Sequence, residues 1–93
     1  MDSKEILKEL ISFPTVSSES NLALIDYCVE LLRRVTPDIE IIKDKTKKKA
    51  NLYASIGPSD RPGVLLSGHT DVVPVDGQNW NFLPFSMTEH DGN

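Results

Sequence analysis

The chain has a single cysteine, Cys28, so no internal disulfide can form and nothing points to an oxidising compartment. No apolar run approaches the ~18 residues that a membrane helix needs. The opening Met1-Asp2-Ser3-Lys4-Glu5 is acidic and amphipathic, whereas a secretory signal opens basic and then turns apolar. Positive charge is also short: 10 Lys and Arg face 14 Asp and Glu, a net −4, and nucleic-acid binders are usually basic. Walker, G-x-G-x-x-G, G-x-S-x-G and zinc-finger spacings are all missing. These absences predict a cytoplasmic protein with neither a nucleic-acid nor a membrane partner.

What remains is ordinary for a folded domain: 93 residues, 39% hydrophobic and 26% charged. That length allows one domain with a small core. The charge is unevenly spread, since Lys43 to Lys49 holds five lysines and one aspartate and reads as a solvated loop.

Hydrophobic spacing predicts the elements. Asp2 and Glu5 stand at capping-box spacing before Ile6, Leu7, Leu10 and Ile11, which share one helical face. Pro14 should end this helix by disfavouring helical geometry at Phe13. Ser17, Ser18 and Glu19 then read as the cap and first turn of a second helix. Its stripe is Leu22, Ile25, Cys28, Val29, Leu32 and Val35, and Pro37 stops it. Ile39 to Ile42 and Leu52 to Ile56 read as strands. Val64-Leu65-Leu66, between turn signals, reads as a strand covered on both faces. Phe85 to Glu89 is a further strand candidate, followed by the hairpin dipeptide Asp91-Gly92. The expected architecture is α/β: two helices, then three or four strands. A hairpin turn lacking its second strand suggests a piece of a longer protein.

The residues with chemical potential cluster in Ser67-Gly68-His69-Thr70-Asp71, at the C-terminal end of the third strand, where open α/β sheets place ligands. Extended backbone would put His69 and Asp71 on the same side. A neutral imidazole can ligate a metal, and a carboxylate can either ligate or hold the imidazole from behind. Gly68 would allow close approach. A His-x-Asp pair alone is a weak signal. His90, between Glu89 and Asp91, reads as an exposed turn residue, and Cys28 as core. Trp80, Phe82 and Phe85 read as packing for a long loop.

The run Ser67 to Asp76, SGHTDVVPVD, continues into Gly77-Gln78-Asn79-Trp80, Pro84-Phe85 and Thr88-Glu89-x-Asp91-Gly92. Together with Leu10 to Ser17 and Ser20-Asn21, it resembles the dinuclear zinc deacylases and exopeptidases. That family embraces acetylornithine deacetylases, succinyl-diaminopimelate desuccinylases and glutamate carboxypeptidases, and the D-G-Q-N-W continuation is most similar to its acetylornithine branch. Leu83 departs from the aspartate common there.

The resemblance implies the N-terminal part of an α/β/α zinc-exopeptidase-like catalytic domain. It implies His69 as a ligand to one of two zinc ions, with cobalt as an alternative metal, and Asp71 as the catalytic-site residue holding the imidazole. The reaction it implies is hydrolysis of a small N-acyl amino acid, N-acetylornithine in arginine biosynthesis. The remaining ligands, the general-base glutamate and the dimerisation domain of a homodimeric enzyme would lie outside residues 1–93. The piece alone is then expected to be inactive, to bind zinc weakly and to self-associate. The competing readings are a succinyl-diaminopimelate desuccinylase or related metallo-exopeptidase and, in another class, a non-catalytic α/β module that binds a partner.

Overall fold

A computed structural model describes every residue from Met1 to Asn93. It contains helix α1 (Ser3–Ser12), helix α2 (Leu22–Leu32) and strands β1 (Ile39–Lys43) and β2 (Ala50–Ala54). This is a small α/β arrangement with fewer strands than the sequence pattern predicts.

The start of α1 follows from its cap. The Glu5 amide donates to Asp2 Oδ1 and the Asp2 amide donates to Glu5 Oε2, each at 2.8 Å, which satisfies two end-of-helix donors reciprocally. The helix ends at Ser12, and Phe13 before Pro14 is extended with φ −81° and ψ 117°. The Phe13 ring then meets Tyr27 of α2, with centroids 5.7 Å apart.

Helix α2 begins later than expected. Asn21, and not the Ser17–Glu19 stretch, is the N-cap, and its amide does not cap the helix. Instead it grips β2: its nitrogen donates to the Ala50 carbonyl and its oxygen accepts from the Ala50 amide, both at 2.9 Å. A side-chain amide carries the same donor and acceptor as a peptide, so Asn21 completes the edge of the strand like a backbone unit. The Ser20 hydroxyl, on the carbonyl of Lys48, adds a second tie.

Strands β1 and β2 pair antiparallel, with Ile39 opposite Ala54 and Lys43 opposite Ala50. The lysine-rich stretch is the hairpin tip, as expected. There the Thr46 hydroxyl donates to Asp44 and holds the Asp44 carboxyl below the ordinary carboxylate range.

The core lies between α2 and β2. Leu24, Ile25 and Val29 are buried with Ala50, and Leu10, Phe13, Leu22, Cys28, Ile39 and Leu52 pack around them. Cys28 is half-buried there, as expected, and burial raises its thiol pKa.

Beyond Ile56 the regular elements stop. The expected strand at Val64-Leu65-Leu66 does not form, and these side chains are 90%, 72% and 90% exposed. A strand needs a neighbour to take its amides and carbonyls, and the two-stranded hairpin does not reach it. Phe85 to Glu89 is likewise not a strand. The Asp91-Gly92 turn does form: both residues have positive φ, at 51° and 80°, and the backbones of His90 and Asn93 exchange two 3.0 Å hydrogen bonds across it.

The result is under-packed. The chain exposes 7822 Å², about 2,400 Å² more than a folded monomer of 10.4 kDa normally does. Its radius of gyration is 15.6 Å, where about 12 Å is usual for this length.

Stability should therefore be concentrated in few residues. Leu24→Ala should lower the unfolding free energy by about 2–5 kcal/mol, through lost burial and the cavity left behind. Leu65→Ala should change it by no more than about 0.5 kcal/mol. Urea unfolding followed by circular dichroism checks both, and equal effects would contradict this placement of the core.

Candidate functional site

After Pro14 the chain passes through Thr15 and Val16 into a turn at Ser17-Ser18, closed by the Glu19 amide on the Val16 carbonyl at 2.8 Å, and Thr70, Asp71 and Val72 lie alongside Thr15 to Ser17. Val16 and Val72 form an isolated parallel bridge. The Ser17 amide donates to the Val72 carbonyl and the Val72 amide to the Thr15 carbonyl, both at 3.0 Å. The buried Thr15 hydroxyl adds a 2.6 Å bond to the Thr70 carbonyl.

This pairing sets up the His69–Asp71 geometry. Asp71 Oδ2 accepts the Ser17 hydroxyl at 2.7 Å, while Oδ1 lies 3.0 Å from His69 Nδ1. The Asp71 carbonyl lies 3.1 Å from the same nitrogen. A carbonyl and an ionised carboxylate can only accept, so Nδ1 carries the hydrogen. In the neutral ring Nε2 is then the atom with the free lone pair. The Ser17 hydroxyl, and next the His69 ring, hold the Asp71 carboxyl below the ordinary carboxylate range.

The pair is open to solvent, the His69 side chain being 85% exposed. Beside it is a cleft of about 610 Å³, with Gly68 and His69 on one wall and Ile25, Cys28, Ala50 and Leu52 on the other. The Lys49 ammonium sits on the Ser17 carbonyl at its rim. A second, apolar hollow of about 280 Å³ lies between Leu10, Phe13, Val72, Pro84 and Phe85, and also touches His69.

Sequence spacing correctly brought His69 and Asp71 together. It missed Thr15 and Ser17, because a hydroxyl-rich stretch before an apolar run reads as a helix cap. No backbone approaches Gly68 closely, since a Cβ there would meet open space. His90 is exposed as expected, paired with Asp91 at 3.2 Å and set against the Phe82 ring. Glu89 is engaged by Lys4. Trp80 is half exposed and its indole donates to the Val75 carbonyl, closing its own loop. No three His, Cys, Asp or Glu side chains come together as a metal cluster, and no helix is long and apolar enough to cross a membrane.

Comparison with known proteins bears out the resemblance read from the Ser67–Gly92 motifs. The chain is 38% identical over 95 residues to acetylornithine deacetylase of Shigella sonnei (strain Ss046), an alignment that takes in 95% of this chain. The chain spans 24% of that relative's length. No family model and no solved structure matches it.

The Thr15 hydroxyl should be what holds the 70–72 segment in place. Thr15→Val removes its bond to the Thr70 carbonyl at nearly constant volume. Amide exchange at Val72 should then speed up by about 2- to 10-fold, the worth of one hydrogen bond. Exchange at Val29, in the middle of α2, should be unaffected. No change at Val72 would contradict the assignment.

Proposed function

We propose that this relative of the acetylornithine deacetylases is part of a metal-dependent amidohydrolase and contributes one ligand to its metal site. The observation that carries the reading is the 3.0 Å contact from Asp71 Oδ1 to His69 Nδ1, which leaves Nε2 free to ligate. Carboxylate–imidazole–metal chains of this kind fix the tautomer and raise ligand basicity. The donor set therefore fits one position of a zinc site.

When bound, such a metal polarises the scissile carbonyl and lowers the pKa of its water. The work of this chain's residues is narrower. His69 offers Nε2. Asp71 keeps the hydrogen on Nδ1 and stabilises the ring as a donor of electron density. The neighbouring cleft gives room for a small acylated amine. Catalytic zinc usually takes three protein ligands, and only one is assigned here. The other ligands and the general base would come from protein beyond residues 1–93.

The substrate class in this reading is an N-acyl amino acid, with N-acetylornithine the first candidate and arginine biosynthesis the setting. The whole enzyme would be a cytoplasmic homodimer with zinc, or cobalt, as its metal. The exposed Val64, Leu65 and Leu66 support the idea that further protein covers this chain. An excess surface of about 2,400 Å² falls within the range of permanent interfaces. Without that cover, self-association of the isolated chain follows.

The test joins these residues to the rest of the Shigella sonnei relative, in place of its matching quarter, and follows hydrolysis of N-acetylornithine with added zinc. The chimera should turn over, and the 93-residue chain alone should not. In the chimera, His69→Ala should lose one metal position and the activity, and Asp71→Asn should lose about 10- to 100-fold. An unchanged rate for His69→Ala would overturn the reading. Turnover by the isolated chain, abolished by chelation, would overturn the assignment of the missing ligands.

A further inference from the structure

We propose that Ser17 is a positioning residue for His69, acting through Asp71; its functional meaning rests on His69 being a metal ligand. The Ser17 hydroxyl lies 2.7 Å from Asp71 Oδ2 and 3.3 Å from the Val72 carbonyl. Its own backbone is held by the parallel bridge, so the hydroxyl approaches from a fixed direction. A carboxylate on a single-bonded stem can rotate. With Oδ2 tied to Ser17, Oδ1 stays turned toward His69 Nδ1 at 3.0 Å.

The constraint matters because the site is open. Asp71 is 56% exposed at its side chain, and water competes for both oxygens. Burial does not impose the geometry here, so it has to come from a covalently placed donor. The consequence falls on the distant nitrogen: an oriented carboxylate keeps the hydrogen on Nδ1 and the lone pair on Nε2.

The experiment is long-range proton–nitrogen NMR of the His69 imidazole in the 93-residue chain, at a pH of about 8, above the ordinary imidazole range. The parent should be mainly the Nδ1–H tautomer. Ser17→Ala should lower the ratio of Nδ1–H to Nε2–H by about 2- to 10-fold. Ser17→Thr, which keeps the hydroxyl, should restore it. Ser17→Cys, nearly the same size but a poor donor, should behave like Ser17→Ala, and it serves if alanine disturbs the bridge. A ratio unchanged in both the Ala and Cys variants would overturn the proposal. This readout is independent of turnover, so failure of the deacetylase reading and failure of the Ser17 assignment give different results.

Discussion

The parallel bridge between Val16 and Val72 is the contact on which the rest depends. Its two bonds are the backbone hydrogen bonds that join the chain beyond Ile56 to the helices and hairpin. Every polar contact of the candidate site is built on one side of it or the other. Thr15 secures Thr70, Ser17 meets Asp71, and Asp71 faces His69. A bridge of two bonds is weak in water, where each is worth about 0.5–1.5 kcal/mol net. The buried Thr15 hydroxyl supports it.

The scarcity of core explains why so much rests on so little. Four apolar residues are buried, all where α2 meets β2. That nucleus holds the hairpin and, through Asn21, the start of the helix. It does not extend to Val64-Leu65-Leu66, whose apolar run would need cover on two faces. The chain thus exposes an apolar run in the same stretch that carries the His69–Asp71 pair.

Features encoded within a few residues were legible in the sequence. The Asp2–Glu5 cap, the stop before Pro14 and the Asp91-Gly92 turn each depend on neighbours three or fewer positions away. The His69–Asp71 pairing was also legible, because a separation of two residues keeps both side chains within reach even though the expected strand before them does not form. Features that need distant partners were not. The 64–66 run has the composition of a buried strand, yet burial belongs to whatever packs on it. Ser17 has the composition of a cap, yet it found Asp71, 54 positions away. Leu24 lies off the predicted stripe of α2 and is nevertheless its most buried residue, at 3% exposure. The helix packs against β2 on one side and borders the hollow near Phe85 on another, so a single stripe understates its buried face. Val35 was placed on that stripe and is exposed, since the helix ends at Leu32.

Segments 15–17 and 70–72 are hydrogen-bonded side by side in parallel. Scalar couplings across hydrogen bonds report this directly. In isotope-labelled chain, coupling is expected from the Ser17 amide nitrogen to the Val72 carbonyl carbon, and from the Val72 nitrogen to the Thr15 carbonyl carbon. If both couplings are missing while those within the β1–β2 hairpin are present, the bridge does not exist in solution and the site built on it is contradicted.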